Sequence, residues 1–462
     1  MKSIVLALGR KLLPSSMYER IASSSIARRL ARGSLWSVFG SASARILSLV
    51  AMIFVARVLG QVSFGEFGLI QSTLGMAGLM AGLGLGETAT RFVAKYADTD
   101  PSRAGRVVAL LVSVSFGTVV LAAAVVISIS GLIAEALFDA PHLQRALAVG
   151  SLFMAITAFR GIQSGVLAGL EKFDALAKLN ILDGILSFMA MVLLARLMGV
   201  EGAVLGLAIS AATVWLVGRS LLTKELSNRG IAVRYGGCSA DWRILTSYSL
   251  PSLIANLVAT PVLWFAMTRV ARSGQGFAGL GLYNAAYQWL GPIVFIPMIL
   301  MSVSIPVLVQ EWEAGRKQRF RAVTLWISGL MLAITLPSAV VGAFLSPWIM
   351  SLYGPGFRDG WIILVLLLAA APLLALTKIA SCALLGMNRA WWVLAINLCW
   401  GMMLLEITSW LVPTHGVLGL AIAFLAAYSM LGVLSFALVF VGSQFAEARF
   451  ESCTADRQRK AC

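Results

Sequence analysis

Charge is scarce in this chain. Only 12% of its 462 residues are Asp, Glu, Lys or Arg, about half the share of an ordinary soluble domain. A soluble fold of this length needs far more polar surface to cover itself. A water-soluble enzyme and a disordered chain are therefore both excluded. Cysteine is sparse too: Cys238, Cys382, Cys399, Cys453 and Cys462 show no paired spacing, which excludes a secreted disulfide scaffold. His142 and His415 are the only histidines, so no His-based metal site is expected, and no cofactor motif stands out.

What is present is apolar bulk. Hydrophobic residues make up 59% of the chain, mean hydropathy is +0.89, and the apolar residues run in long blocks. A helix needs roughly 20 such residues to cross hydrocarbon. Windows of that length fall near 34–59, 65–86, 107–131, 144–168, 175–197, 202–222, 245–270, 280–305, 322–352, 361–386, 391–412 and 416–441. The expectation is an all-α polytopic membrane protein of about 12 transmembrane helices. The window 322–352 is too long for one straight span, and Pro337 and Pro347 are expected to kink or end it.

The net charge of +16 invites a nucleic-acid reading, but the basic residues sit between apolar blocks and not on one face. No nucleic-acid partner is expected. Alternate loops, with the two tails, gather about 27 Lys and Arg, whereas the opposite loops and helix ends hold about six. By the positive-inside rule both termini are cytoplasmic and the number of spans is even. No cleavable signal is recognisable. Residues 1–32 read either as a basic amphipathic helix on the inner leaflet or as a loose basic tail.

The chain also repeats itself. Ser164–Gly165–Val166–Leu167–Ala168–Gly169, with Lys172 and Asn180 following, matches Ser381–Cys382–Ala383–Leu384–Leu385–Gly386, with Arg389 and Asn397 following, at an offset of 217. Ala203–Val204–Leu205–Gly206–Leu207–Ala208–Ile209 recurs from Gly416 to Ile422 at an offset of 213. A six-span unit repeated once enters the membrane the same way both times, so a pseudo-two-fold along the membrane normal relates the copies. The expected organisation is a cytoplasmic segment 1–32, an N-lobe 33–222, a cytoplasmic linker 223–243, a C-lobe 244–441 and a cytoplasmic tail 442–462. Two such lobes enclose a central cleft suited to alternating access. Ten of the thirteen prolines lie at or beyond Pro251, which marks the C-lobe as the more deformable, unless these are static kinks.

Five ionisable residues fall well inside the spans: Arg45, Arg160, Asp183, Lys378 and Glu406. Each costs about 2.5–3.5 kcal/mol to insert, so an ion or substrate path is the default reading. Arg45, Arg160 and Lys378 make the cleft cationic and suit an anionic cargo, because guanidinium and ammonium groups hydrogen-bond phosphate oxygens with charge assistance. Asp183 and Glu406 are candidates to carry a coupling proton or sodium ion. Arg160 and Asp183 lie at matched depth on adjacent helices, so a mutually neutralising ion pair is the alternative there. Lys378 reaches partly toward the cytoplasm, and Glu406 lies nearer the outer face. Asn180, Asn256, Asn284 and Gln288, with Gln163, add polar atoms at membrane depth, as cavity lining or as glue between helices. Trp264, Tyr283, Tyr287, Trp289 and Trp361 are positioned to stack on sugars or to anchor helices at the interface.

The pattern resembles the polysaccharide-transporter branch, the Wzx-type O-antigen flippases, of the multidrug/oligosaccharidyl-lipid/polysaccharide exporter superfamily. The resemblance runs from Leu35 to Gly442. It is carried by Ala56–Arg57–Val58–Leu59–Gly60 with Phe64–Gly65–Glu66–Phe67–Gly68, by Gly281–Leu282–Tyr283–Asn284–Ala285–Ala286, and by the runs containing Gly206 and Gly419. It implies an inner-membrane flippase for an undecaprenyl-diphosphate-linked oligosaccharide, with a polysaccharide polymerase and a chain-length regulator as partners. The alternatives are a drug or cation antiporter of the same superfamily, and a membrane glycan polymerase or ligase. The last lacks support, because no outer loop gathers a general base near a nucleophile.

Overall fold

The computed structural model describes residues 25–249, 253 and 258–461, with the side chains of 25–39, 239–240, 302–303 and 443–461 left aside. The segment expected over 1–32 therefore lies largely outside the described residues, and so does Asn256. Described residues form helices joined by short turns: α1 Ser25–Gly82, α2 Leu85–Tyr96, α3 Pro101–Leu132, α4 Gln144–Gly169, α5 Phe173–Asn228, α6 Ala259–Ala271, α7 Gly276–Tyr287, α8 Leu290–Glu313, α9 Lys317–Phe344, α10 Ser346–Ser351, α11 Trp361–Gly386, α12 Ala390–His415 and α13 Val417–Ala461. Among the described residues nine helical stretches are long and apolar enough to cross a membrane.

Two of those stretches are double. Gly60 breaks α1 with φ 76° and ψ 176°, and Gly199 breaks α5 with φ 61° and ψ −135°. Only glycine enters these conformations without strain, so each rod turns back where two hydropathy blocks meet. Other boundaries move from their expected places. The window 280–305 is not one helix: it breaks at Gln288–Trp289 between α7 and α8, within an unbroken apolar run. The second span, expected over 65–86, ends at Gly82, and α2 follows after Leu83 and Gly84, both left-handed. The window 322–352 divides at Leu345, with Pro347 in the first turn of α10, whereas Pro337 is absorbed inside α9. Proline lies within the interiors of α8, α9, α11 and α12, which continue through it, while Pro101 and Pro141 occupy first-turn positions.

Helices α1–α5 pack mainly with one another, as do α6–α13. The groups meet where the second half of α1 crosses α7. A Cβ on Gly65 would strike the Phe277 carbonyl oxygen, one on Gly281 the Gln61 carbonyl oxygen, and one on Gly68 the Asn284 amide. Gln61 Nε2 donates to the Ala278 carbonyl at 3.1 Å. Gln61 and Ala278 are 217 positions apart, and Gly65/Gly281 and Gly68/Asn284 are 216 apart, within one helical turn of the repeat offsets of 217 and 213. A residue that touches its own counterpart lies on the symmetry axis of a two-fold pair. This small-residue crossing, the kind that lets helix backbones approach in membranes, lies close to where an axis relating the two copies would pass. Gly281→Leu should cost about 1–3 kcal/mol by overpacking. A lowered thermal midpoint in detergent would show it, with Gly117→Leu, at a glycine facing open space, leaving the midpoint unchanged.

Contacts between the two lobes are made at the far end of the bundle, where Thr88 Oγ1 lies 2.7 Å from Ser249 Oγ, midway along the second half of α1, and at the Gly60 end. Arg57 Nε donates to the Leu352 carbonyl at 2.5 Å, and Phe64 packs edge-on to Phe357 at 5.9 Å between ring centres. Trp264 Nε1 donates to Thr73 Oγ1 at 2.8 Å. At the opposite end, the expected linker 223–243 is no loose tether. Its first residues continue α5 to Asn228, Arg229 Nη2 donates to the Leu170 carbonyl at 2.7 Å, and buried Asp241 accepts from Arg103 Nη2 at 2.9 Å and Nε at 3.1 Å. Ile231 and Ile244 bury themselves against Ala104, Val107 and Leu111.

Candidate functional site

The approach of α2 to α4 depends on glycine. A Cβ on Gly165 would strike the Gly86 carbonyl oxygen, and one on Gly86 would sit 2.8 Å from that of Gly161. Beside this contact a cavity of about 360 Å³ opens between α2, α4 and the start of α5, with Glu87, Thr90, Ser164 and Asn180 as its polar lining. Asn180 therefore stands where the sequence places it, in a polar pocket.

The ion pair lies directly beyond. Arg160 adjoins Gly161, and Asp183 is one helical turn past Asn180. Arg160 Nη1 donates to Asp183 Oδ1 at 3.0 Å, and Nη2 lies 2.9 Å from Oδ2. This two-pronged geometry fits guanidinium to carboxylate. Ser210 Oγ approaches Asp183 Oδ1 at 3.3 Å and shares a 2.9 Å hydrogen bond with Ser187. The side chains retain 19% and 31% of their exposure, so the pair is only partly enclosed. Of the two roles open to these residues, the geometry supplies the pair; neither is a free charge.

Arg45 differs. It is exposed on α1, its guanidinium lies 5.0 Å from the centre of the Phe295 ring, and a Cβ on Gly291 would come within 3.5 Å of Nη1. Both partners belong to α8, so Arg45 reaches across from one lobe to the other. Leu47, about 200° away around the helix, packs instead on Gly184 of α5. Among the described residues no carboxylate pairs with Arg45. Lys378 is exposed on α11, and the repeat offset of 217 carries Gly161, which lines the polar cavity, onto it. Of the three cations singled out in the spans, Arg45 and Lys378 are therefore the two not paired with a carboxylate among the described residues.

The remaining candidates scatter. Asn284 sits against Gly68 in the seam, its Nδ2 buried without a hydrogen-bond partner. Gln288 is half-buried at the α7–α8 break. Glu406 is exposed on the stripe of α12 that carries Leu398, Met402 and Trp410, large apolar side chains that face lipid. The structure does not bring it near Asp183. Of the aromatic candidates, Tyr283 is buried and stacks on Tyr287 at 5.6 Å, and Tyr287 continues onto Phe424 at 6.0 Å. Trp264 and Trp289 donate to Thr73 and to Tyr353, whereas Trp361 is exposed. The sequence reading missed one contact between ionisable side chains near a helix end: His142 Nε2 lies 2.8 Å from Glu66 Oε1. Glu66 stands at the very edge of its apolar block, which hid it among interface residues.

A bundle of apolar helices closed by a two-fold crossing, with cations set at the junction, defines a multi-pass membrane transporter. A solved structure described as the inward-facing conformation of a multidrug resistance MATE family transporter of the MOP superfamily has the same fold. Its TM-score is 0.72 at 15% identity, covering 88% of this chain and 96% of that one. The family described as polysaccharide biosynthesis protein matches residues 30–312, and the chain belongs to it. It is similar to the lipid III flippase of Escherichia coli, 26% identical over 86% of this chain and 95% of that protein. It is also similar to the EPS I polysaccharide export inner membrane protein EpsE of Ralstonia nicotianae, 26% identical over 64% of this chain and 68% of that protein. These relatives are named for flipping and export, which agrees with a transporter and not with a polymerase or ligase.

Proposed function

We propose that this protein is an inner-membrane flippase that moves an undecaprenyl-diphosphate-linked oligosaccharide from the cytoplasmic to the periplasmic leaflet for surface polysaccharide synthesis. It works by alternating access and is driven by an ion gradient. The observation that carries the reading is Arg45, a deep cation without a carboxylate partner, set where two lobes meet. A diphosphate is the anion such a group suits, and a cationic drug is what it repels. The positive-inside rule assigns the Gly60 end to the periplasm. The seam closed at that end then corresponds to a state shut toward the periplasm. The polar cavity beside Asn180 and Ser164 is of a chemistry to receive sugar hydroxyls. The prenyl chain would remain in lipid, and an apolar groove of about 580 Å³ lined by Phe54, Leu186, Phe188, Met189, Leu193 and Ile209 offers it a wall.

The test is flipping in sealed vesicles. A radiolabelled lipid-diphosphate oligosaccharide should become accessible to an impermeant glycosidase only when the protein is present. Collapsing the proton and sodium gradients should slow that step at least tenfold. Accessibility that does not depend on the protein would overturn the flippase reading, and flipping indifferent to both gradients would overturn the coupling.

A further inference from the structure

The seam is carried by a rod hinged at both ends. Residues 61–82 follow the break at Gly60 and precede the left-handed pair Leu83 (φ 46°) and Gly84 (φ 66°). One face of this rod presents Gln61, Gly65 and Gly68 to the second lobe. Glu66 lies about 130° around the helix from the middle of that face and points back into the first lobe. Its carboxylate is nearly buried, with Phe67, Leu69 and Ile70 of the same rod fully so. His142 is its hydrogen-bond partner, at 2.8 Å, and the imidazole is 63% exposed on the short turn Pro141–Leu143 at the Gly60 end.

A carboxylate so enclosed is costly unless it is neutralised. One proton held between carboxylate and imidazole makes the pair neutral overall, and loss of that proton leaves a bare buried charge. The imidazole is the side of the pair that meets solvent, so it is the route by which a proton reaches or leaves the contact. The other charged groups on elements packed nearby do not take its place. Arg57, Glu135, Asp139, Arg145, Arg196, Arg269 and Arg272 are exposed and Glu201 is half-buried. Arg57 and Arg272 already donate to the carbonyls of Leu352 and Ala136.

We propose that Glu66 and His142 form a proton-binding latch that fixes the seam rod to the first lobe, so that proton loss frees the rod to leave α7 and open the Gly60 end. The linkage follows in sign: the closed state holds the extra proton, so acid favours closure, and raising pH favours opening by up to about tenfold per pH unit. The inference rests on the alternating-access reading and names the group that would connect it to protons.

Hydrogen exchange of the full-length protein in nanodiscs tests it without any transport assay. With rates corrected for their intrinsic pH dependence, protection of 61–82 and 276–287 should fall stepwise as pH is raised. His142→Arg, permanently charged, should keep protection high throughout, and His142→Ala should keep it low throughout. Glu66→Gln should abolish the step. Persistence of the step in either histidine variant, or its absence from the natural protein, overturns the latch. A step that survives alongside flipping indifferent to the gradient leaves the latch standing and sinks only the coupling.

Discussion

Arg160→Ala and Asp183→Ala should each reduce export of the lipid-linked glycan to less than about a tenth, and the charge-swapped double variant should restore most of it. Removing one partner of an enclosed ion pair leaves the other uncompensated, at a cost of about 3–5 kcal/mol. The residual exposure of Arg160 and Asp183 places this pair toward the lower end of that range. The Arg160→Asp, Asp183→Arg chain rebuilds the pair with its polarity reversed, and Ser210 and Ser187 can turn their hydroxyls to accept from a guanidinium as readily as they donate to a carboxylate. The measurements are surface glycan in cells and the thermal midpoint in detergent. Recovery of both assigns the pair to architecture and positioning. Recovery of the midpoint without export would show that the cargo reads the sign of the charge at residue 160. No recovery of either would contradict direct pairing.

This pair was legible before any coordinates, because depth is counted along a helix at a fixed rise per residue. The breaks at Gly60 and Gly199 were legible for a similar reason: apolar blocks end where the chain must turn. The repeat offset showed through because small residues at close helix crossings leave the chain little choice. What remained hidden is rotation about each rod. A helix apolar on all sides carries almost no signal of which face meets protein, so nothing in the sequence told that Arg45 faces α8 or that Glu406 shares a stripe with Met402 and Trp410. The Gln288–Trp289 break was hidden by continuous hydrophobicity. The contact between Glu66 and His142 joins residues 76 positions apart, and neither lies on a repeated motif.

Arg45→Ala should abolish export while leaving the amount of protein in the membrane near normal, a combination that separates function from folding. The side chain costs about 2.5–3.5 kcal/mol to insert, so its removal eases membrane insertion. Its contacts within the protein are the face of Phe295 and the backbone near Gly291, and the cation–π term is worth about 0.5–2 kcal/mol. Stability therefore changes little in either direction. A two-pronged, charge-assisted hydrogen bond to a diphosphate is worth about 1.5–3 kcal/mol per contact, or roughly tenfold to a hundredfold in affinity. Arg45→Lys keeps the charge and loses the fork, so it should fall between the natural protein and the alanine variant. Phe295→Ala removes the ring and leaves the guanidinium, and should preserve most export. The half-saturating concentration of lipid-linked substrate in vesicle flipping separates these cases. It should rise through Phe295→Ala, Arg45→Lys and Arg45→Ala in that order. Full export by Arg45→Ala would mean that the anion crosses elsewhere, with Lys378 the remaining deep cation to carry it.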